Sequence, residues 1–260
     1  VVVIQRLVVP LLITPALPLC DWRIHKMALT QIKSSNITDG TIVNADVSAS
    51  AAITASKLSG VESGLTSVQV FTASGTWTKP TGITKIIVEV QGGGGSGSRH
   101  GTGANVCSGA GGGYGRKFLD VTDIDTVTVV VGAGGASQTS SDTAGVAGGL
   151  SSFIKATGSG SFTDIVGNGG TGGIISGWGA GPIGGTGTGG DFNIQGGRGW
   201  MGGDGTNGGG AFLGIQGVTT SYSTGAVLDG LGYGGGGGGA YTTAASGAGA
   251  PGIVYVQEYK

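Results

Sequence analysis

The stretch that decides the fold is GPIGGTGTGGDFNIQGGRGWMGGDGTNG, residues 181–208. From Gly181 onward every third position is glycine as far as Gly208, and Asn193 is the single exception. The other two registers hold three and one glycines among nine positions each, so glycine is phased with a period of three. The glycines of this register are predicted to form a scaffold: Gly181, Gly184, Gly187, Gly190, Gly196, Gly199, Gly202, Gly205 and Gly208.

A period of three is the repeat of an extended left-handed helix of the polyproline-II type, which forms no internal hydrogen bonds. Several such helices can bond to one another if glycine on the inward edge lets the backbones approach closely. Collagen follows the same steric logic with abundant proline, whereas only Pro182 lies in the phased stretch. The sequence therefore predicts a bundle of short polyglycine-II helices within one chain.

Composition limits the functional classes that are open to the chain. Glycine supplies 61 of the 260 residues, charged residues make up 10%, and the formal net charge is -1. Nucleic-acid binding depends on clustered Lys and Arg, which are missing here, so no nucleic-acid partner is expected. The low net charge also argues against a typical disordered chain.

Strands are predicted on both sides of the glycine-rich tracts. Residues 68–80 and 83–91 read as two strands joined by a turn at Pro80 and Gly82. Two further β-branched strands are predicted at 126–132 and 252–259. Good helix formers in sequence are nearly absent beyond residue 66. The expected fold class is mainly β and irregular, with β-strands flanking the polyglycine-II bundle and almost no α-helix.

Three regions are expected along the chain. Residues 1–26 contain an apolar run, Leu7 to Leu19, that prolines interrupt and that is too short to span a bilayer, so no membrane insertion is expected. This region is translated from upstream of a true start at Met27, or is a cleaved signal, or is structure in its own right. Residues 27–66 suit an attachment module that packs on a partner or on copies of itself. Residues 67–260 form the glycine-rich domain.

One motif has the outline of a dinucleotide site. A strand is followed by G-x-G-x-x-G at Gly92, Gly94 and Gly97. That fingerprint requires a helix to begin there and an acidic residue about twenty positions later. The following residues, SRHGTGANVCSGAGGG, cannot form a helix, so nucleotide binding and other cofactors are not expected.

Catalytic and metal-binding residues are sparse. His100 and Cys107 could pair as base and nucleophile, but no motif supplies an orienting partner, so an exposed loop histidine is favoured. Asp120, Asp123 and Asp125 lack the glycine and the terminal glutamate of a calcium loop, so a solvated turn is favoured over a metal site. No enzyme activity and no metal are expected.

An ordered set of motifs resembles the glycine-rich domain of bacteriophage tail-fibre proteins. The motifs are TASGTWTKPTGITKIIVEVQGGGGSG (72–97), GGGYGRKFLDV (111–121), TVTVVVGAGG (126–135), GGLSSF (148–153) and GGGGGGAYTTAASGAGAPGIVYVQEY (234–259). More distantly, the chain is similar to the receptor-binding tip adhesins of T-even-type phages, although it lacks their usual attachment region. The resemblance implies a protein of the distal tail fibre of the virion, outside the cell, that binds a bacterial surface receptor. Its partners would be an outer-membrane protein or glycan and, through residues 27–66, another tail-fibre protein or copies of itself.

Under this resemblance the contact residues lie in glycine-poor inserts between the glycine motifs. The inserts are Ser98 to Ser108, Ala136 to Ala144, Ile174 to Ile183, Asp191 to Gln195 and Ala211 to Asp229. The receptor-contact candidates are Trp178, Phe192, Trp200, Phe212 and Tyr222, because aromatic side chains offer apolar area with few rotatable bonds. The alternative is that most of them cap the glycine layer, which is favoured for Trp77 and Trp178.

The sequence leaves three functional hypotheses. The first is a tail-fibre tip adhesin that displays binding loops on a polyglycine-II scaffold. The second is a purely structural fibre or assembly module without receptor binding. The third is an ice-binding protein, which the bulky outward residues Arg198, Trp200 and Asp204 disfavour, since an ice-binding face needs small residues at regular spacing.

Overall fold

The structure is a computed structural model, and it describes residues 47–48, 51, 64–101, 106–175, 180–202, 206–217, 227–241 and 244–260. The chain divides into two units, residues 1–57 and 58–260, and the strands of the described residues lie in the second. The predicted leader at 1–26 and nearly all of the predicted attachment module at 27–66 lie outside the described residues.

The described residues form short strands and no α-helix, as the sequence predicts. The strands are β1 (Leu65–Phe71), β2 (Gly75–Thr78), β3 (Lys85–Gln91), β4 (Arg99–His100), β5 (Val106–Cys107), β6 (Tyr114–Asp120), β7 (Thr126–Val130), β8 (Ser151–Thr157), β9 (Ile165–Gly167), β10 (Gly187–Thr188), β11 (Phe192–Ile194), β12 (Met201–Gly202), β13 (Gly214–Ile215), β14 (Leu231–Gly232), β15 (Ala240–Tyr241) and β16 (Ile253–Tyr259).

Two five-stranded sheets stand at one end of the unit. Their strand orders are β1, β16, β3, β6, β11 and β10, β9, β8, β7, β2, with antiparallel neighbours throughout. The strands predicted at 83–91, 126–132 and 252–259 are confirmed as β3, β7 and β16. The single strand predicted at 68–80 is wrong, because the chain bends at 72–74 and divides it between β1 and β2, which belong to different sheets.

The predicted turn between Pro80 and Gly82 is present. Ile83 N donates to Pro80 O at 3.1 Å, and Gly82 has a φ of 81°. A positive φ at the third position of a turn favours glycine, which has no Cβ to clash with the backbone. The turn passes the chain from the second sheet to the first.

One apolar core fills the space between the two sheets. Every second residue of β3 faces inward, which is the pattern of a strand with one covered face. The rings of Trp77 and Phe153 meet at a centroid distance of 6.0 Å. The core side chains include Ile86, Val88, Val90, Leu119, Val254 and Val256 from the first sheet, and Trp77, Val127, Val129, Phe153 and Ile165 from the second. Full burial of one such aliphatic side chain contributes about 1.5–3 kcal/mol, so this sandwich anchors the unit.

Residues 92–99 leave β3 as an extended segment that is completely buried. Its amides donate in rotation to three antiparallel neighbours, at N to O distances of 2.8–3.0 Å. The acceptor carbonyls, in order from Gly92 to Arg99, belong to Gly113, Gly149, Ala250, Ala110, Val146, Gly247, Cys107 and Thr143. Each neighbouring segment accepts from every third amide of 92–99, and the residue number of the accepting carbonyl falls by three from one bond to the next. This is the threefold screw of polyglycine II.

The carbonyls of residues 92–99 accept from three further segments, so six segments of the same chain surround this one. The donors are the amides of Gly135, Gly170, Gly173, Gly237 and Ala240. Residues 107–113 have a comparable environment. The amides of 108–113 donate to residues 168–171, 197–200 and 234–237, and the Cys107 amide donates to Ser98 Oγ. The carbonyls of 107–113 accept from 92–98, Gly185 and Gly209. The predicted polyglycine-II bundle within one chain is therefore confirmed.

Side chains have no room between these segments. A Cβ on Gly97 would lie 2.0 Å from Gly238 O, and one on Gly184 would lie 1.8 Å from Gly196 O. Within the predicted scaffold register, an added Cβ would come within 1.8–2.3 Å of a carbonyl oxygen at Gly181, Gly184, Gly187, Gly196, Gly199 and Gly208. At Gly190 the nearest oxygen would be 2.7 Å away; Gly202 lies in β12, and Gly205 lies outside the described residues.

The phased stretch at 181–208 is not one continuous helix. Residues 182–186 and 196–200 run antiparallel, since Gly196 N donates to Gly185 O at 2.9 Å and Gly199 N donates to Pro182 O at 3.1 Å. Strands β10 and β11 join them through a turn. The exception in the register, Asn193, lies in β11 and bonds both the N and the O of Gly190, at 3.0 and 2.8 Å, which closes the turn.

The glycine segments form hairpins that extend from the sandwich. For example, β3 continues into residues 92–99, the chain reverses, and residues 107–113 return to β6. Because the sheets hold one end of the segments, the reversals gather at the other end, which we call the distal end. The reversals lie between residues 99 and 107, 135 and 143, 173 and 182, 200 and 207, 217 and 230, and 240 and 247.

Candidate functional site

Arg99 holds two neighbouring connections at the distal end. Its side chain is only 9% exposed, and it begins the connection after residues 92–99. Its Nε donates to Ala244 O at 2.8 Å, and its Nη1 donates to Thr139 O. Hydrogen bonds from a charged donor are stronger than those between neutral groups. Arg99 therefore joins three connections into one surface.

A second contact secures the 135–143 connection. The carboxylate of Asp142 lies 3.1 Å from His100 Nδ1 and accepts from Gly101 N at 3.2 Å. Asp142 has a φ of 54°, a left-handed conformation that is uncommon outside glycine and that Asp adopts more readily than most residues. The contact presents an imidazole and a partly exposed carboxylate side by side at the distal end.

The 240–247 connection is also fastened to the 135–143 connection. Gln138 N donates to Ser246 Oγ at 2.8 Å, and Ser246 N donates to Gln138 O at 3.0 Å. Reciprocal bonds of this kind fix the relative position of two chains. The described parts of the distal surface are thus held by side chains as well as by the bundle beneath them.

An open pocket of about 310 Å³ lies beside Trp200 at the distal end. Gly181, Arg198, Gly199, Trp200 and Met201 line it. The Trp200 side chain is 64% exposed, although its own amide and carbonyl are bonded within the bundle. Arg198 Nη1 donates to Gly181 O at 3.1 Å, which places an aliphatic stem and a cation along the pocket. Segment 196–200 ends at Trp200, whose side chain forms the rim of the pocket. The next residue, Met201, begins β12, which pairs with β5.

Phe192 and Phe212 lie together, but at the sandwich end. Phe192 belongs to β11, and Phe212 lies in the turn before β13. Both contact the ring of Tyr114, at centroid distances of 6.5 and 4.3 Å. Trp200 is six residues beyond Ile194 along an extended segment, or about 19 Å at 3.1 Å per residue. The structure therefore separates Trp200 from the other two described candidates.

Tyr114 links this aromatic cluster to charged residues on the outer face of the first sheet. Its hydroxyl donates to Glu89 Oε2 at 2.9 Å, and Glu89 Oε1 lies 3.8 Å from Arg116 Nε. Burial first, and then the Glu89 carboxylate, raise the pKa of the Tyr114 phenol well above its usual range. Tyr114 therefore remains a neutral hydrogen-bond donor.

An apolar groove of about 300 Å³ lies next to this cluster. Glu89, Leu213, Tyr233, Ile253 and Tyr255 line it. It belongs to the outer face of the sheet and to the turns that lie on it, at the sandwich end of the unit. Composition alone did not reveal this groove, because its residues come from four separate stretches of the sequence.

The other candidate positions fall outside the described residues or change their place. Trp178 and Tyr222 lie outside the described residues. The insert predicted at Asp191 to Gln195 contains strand β11 and lies at the sandwich end. The sequence analysis did not include the distal connections after Trp200 and after Ala240 among the inserts. The first is rich in glycine, so composition could not distinguish it from the scaffold, whereas YTTAAS at 241–246 is a glycine-poor insert that the same criterion could have found.

The residues considered for catalysis and for metal binding have other roles. Cys107 is fully buried, and burial raises the pKa of its thiol, which disfavours the nucleophilic thiolate. Asp120 Oδ1 accepts from Thr122 N at 2.9 Å, and this bond lowers the pKa of the carboxyl. Within the described ranges no three His, Cys, Asp or Glu residues are grouped as a metal ion would require.

The G-x-G-x-x-G motif lies inside the bundle. Every amide from Gly92 to Arg99 donates to a backbone carbonyl, so none of them is directed at a phosphate. A dinucleotide site uses free amides at the start of a helix. The motif is therefore part of the scaffold.

The comparisons identify the class of protein that this fold represents. A family model described as a glycine-rich domain matches residues 68–259. The chain belongs to this glycine-rich domain family. No curated protein matches the chain. In the part of the chain that the structure describes, no helix combines the length and the apolar character needed to cross a bilayer.

Proposed function

We propose that this protein is a receptor-binding component at the tip of a bacteriophage tail fibre. It would act outside the cell, on the virion, and would recognise an outer-membrane protein or a glycan on the bacterial surface. The observation that carries the proposal is the collection of the chain reversals at one end of a stiff glycine bundle. Loops that a rigid scaffold positions are where binding residues are commonly found. The similarity of the motif order to tail-fibre proteins points in the same direction.

The pocket beside Trp200 is the described part of the distal end that is best suited to a ligand. Tryptophan offers a large amphipathic area, and such residues contribute strongly to recognition. The Arg198 guanidinium lies at the same pocket and can donate to an oxygen-rich ligand. We therefore assign receptor contact to Trp200 and leave Phe192 and Phe212 to the sandwich end. The proposed activity is binding without catalysis, and it requires no cofactor.

The mounting of the protein is part of the same proposal. Residues 27–66 would join another tail-fibre protein or copies of the same chain. The described sandwich begins at Leu65, the first residue of β1.

The proposal is tested by adsorption of the purified full chain to bacteria. Labelled protein is incubated with a panel of strains, and phage attachment is measured after preincubation with the unlabelled protein. We expect saturable binding to a subset of strains and inhibition of attachment to the same strains. Failure to bind across strains that the phage infects would instead favour the structural fibre module.

Two matched variants locate the binding surface. Trp200→Ala removes the exposed ring at the distal end and should weaken adsorption at least tenfold, since hot-spot aromatic residues contribute about 2 kcal/mol or more. Phe118→Ala removes an aromatic side chain of similar exposure, 53%, at the sandwich end and should leave adsorption unchanged. The opposite result would place the receptor site on the sheet face.

A loop exchange tests the connection that contains Tyr222. Gly217 N donates to Gly236 O at 2.8 Å, and Leu228 O accepts from Gly238 N at 3.1 Å, so both residues belong to the scaffold. A deletion of the whole insert from Ala211 to Asp229 would remove these bonds. Replacing only residues 218–226 by a glycine-serine linker of equal length should preserve the melting temperature. A change in which strains the protein binds would support the proposal.

A further inference from the structure

The main chain fixes the position of Trp200 at its pocket. The Trp200 amide donates to Asn207 O at 3.0 Å, and the Trp200 carbonyl accepts from Ser108 N at 3.0 Å. Both main-chain groups are therefore bonded within the bundle, while the side chain is 64% exposed. A ring on a fixed backbone loses little conformational entropy when a ligand packs on it, which favours binding.

The pocket also carries a positive charge that the described residues do not neutralise. Arg198 lines the pocket, and its Nη1 donates to Gly181 O at 3.1 Å. Among the residues that the structure describes, no carboxylate lies within ion-pair distance of this guanidinium. Its other N–H groups form a planar fork that fits the paired oxygens of a carboxylate or a phosphate. The charge of the pocket is therefore complementary to an anion.

The rest of the lining is suited to a small polar ring. Gly181 and Gly199 contribute only main chain, and the Gly181 amide donates to no acceptor in the described part of the chain. The volume of about 310 Å³ is near the lower limit for small-molecule sites, so the pocket suits one ring. A protein receptor would instead need a contact of about 800 Å² on each partner.

We propose that this pocket binds a sugar ring that carries an anionic group, either a carboxylate or a phosphate. The face of a pyranose presents C–H groups with a slight positive charge, which pack on the electron-rich face of the Trp200 indole. The anionic group pairs with Arg198, and the Gly181 amide is a donor for a ring hydroxyl. The inference rests on the proposed function, because it names the chemical class of the receptor at the same site.

The first test is direct binding of small sugars to the purified full chain, measured by saturation-transfer NMR titration. Methyl glucuronide is compared with the uncharged methyl glucoside, and glucose 6-phosphate is compared with glucose. We expect at least one acidic sugar to bind about tenfold or more tightly than its neutral counterpart, because charged hydrogen bonds are the stronger ones. The pair that shows the difference distinguishes a carboxylate from a phosphate. Equal affinities within both pairs, or no binding, would overturn the proposal.

Two variants at the pocket separate the contribution of the charge from that of the ring. Arg198→Gln should abolish the preference for the acidic sugar, whereas Trp200→Ala should weaken binding of both sugars about tenfold or more. Arg116→Gln removes a half-exposed guanidinium at the sandwich end and is the matched control, which should change neither affinity. The melting temperature shows whether each variant is folded. A preference that persists in folded Arg198→Gln would contradict the pairing with Arg198.

Adsorption to bacteria distinguishes a failure of this inference from a failure of the proposed function. An excess of the acidic sugar that binds should inhibit adsorption of the full chain, and its neutral counterpart should not. Adsorption that resists the acidic sugar and is lost after protease treatment of the bacteria would identify a protein receptor. That result would overturn this inference and retain receptor binding. An acidic sugar that binds a protein unable to adsorb to any strain would retain the sugar site and remove the proposed function.

Discussion

Glycine in the bundle acts through the space that it leaves free. Around Gly208 the carbonyl of Gly236 occupies the volume that a Cβ would need, at 2.0 Å, whereas around Gly210 the nearest heavy atom is Gln216 Oε1 at 3.7 Å. The two positions belong to one segment and differ in the register of three. Gly209, which lies between them, would also clash, with its Cβ 2.0 Å from Gly197 O, so the backbone around each position decides the importance of a glycine.

Alanine substitution at these two positions should have opposite effects on stability. Gly208→Ala forces the 234–240 segment away and should lower the free energy of unfolding by about 3 kcal/mol or more, as overpacking does in a tight interior. Gly210→Ala fits without a clash and reduces the freedom of the unfolded chain, so it should raise stability by about 0.5 kcal/mol. Denaturant unfolding of both variants gives the comparison. Equal effects would mean that the space around these glycines does not determine their contribution to stability.

For single residues of the phased stretch, the sequence predicted part of the structure. The period of three identified the register of glycines whose Cβ positions face backbone, as at Gly184 and Gly196. It could not show that Asn193 marks a turn between antiparallel segments. A single period has no direction, and the reversal depends on the Asn193 bonds to Gly190.

Among the elements, β1, β2 and β16 are joined by one buried carboxylate. Glu258 is 1% exposed, and its two oxygens accept from Trp77 Nε1 at 2.7 Å, from Gln69 Nε2 at 2.7 Å and from Ser67 Oγ. Trp77 belongs to the second sheet, so this contact links the two layers of the sandwich. The charge of the carboxylate strengthens all three of these hydrogen bonds.

Glu258→Gln should therefore destabilise the sandwich. The amide keeps the shape of the side chain, its oxygen can still accept from Trp77 and Gln69, and its NH₂ group can donate to Ser67 Oγ, but all three bonds lose the charge of the acceptor. Hydrogen bonds to a charged group contribute about 1.5–3 kcal/mol, and we expect a loss of about that size in the free energy of unfolding.

The matched control is Glu89→Gln on β3. Glu89 is partly exposed, and a glutamine oxygen can still accept from Tyr114, so the loss should be under about 1 kcal/mol. Urea unfolding followed by tryptophan fluorescence measures both variants. A smaller loss for Glu258→Gln than for the control would contradict the assigned role of Glu258.

The strands could be predicted only where their pattern was long and apolar. KIIVEVQ and IVYVQEY alternate over seven residues and were found as β3 and β16. YGRKFLD and SSFIKAT form β6 and β8, but a glycine and charged residues obscure the first and serine begins the second. The split of residues 68–80 between two sheets depends on partners distant in sequence, which a local pattern does not contain.

For the whole molecule, Arg99 determines how the distal surface is held together. Arg99→Met removes the donors to Thr139 and Ala244 and keeps a similar apolar volume. We expect the melting temperature to change little, because the sandwich and the bundle persist. Hydrogen exchange in residues 136–143 and 244–246 should rise about tenfold or more, since charged hydrogen bonds of about 1.5–3 kcal/mol are lost. Adsorption should fall with it.

Arg116→Met is the control for that measurement. Arg116 lies at the sandwich end, where its side chain is half exposed and 3.8 Å from Glu89. Exchange at the distal end should remain as in the unmodified protein. An equal rise in both variants would indicate a general loosening of the unit and would remove Arg99 from the proposed role.

The candidate site was predicted in part. Glycine-poor composition found the inserts around His100, Gln138 and Ile174, because the scaffold excludes such residues. It also selected Phe192 and Phe212, which share that composition but lie at the sandwich end. The end to which an insert belongs follows from the number of chain reversals before it, and that number requires the hydrogen-bond partners of every segment.

The threefold hydrogen bonding of residues 92–99 has a consequence for how this protein can diversify. Cohesion resides in main-chain groups, which any amino acid supplies, and not in a mosaic of matched side chains. A distal connection that lacks side-chain ties such as those of Arg99 and Gln138 can then change in length or chemistry without repacking its neighbours, provided that the glycines beneath it are kept. Such a scaffold allows the sequence of these connections to vary while the fold stays the same.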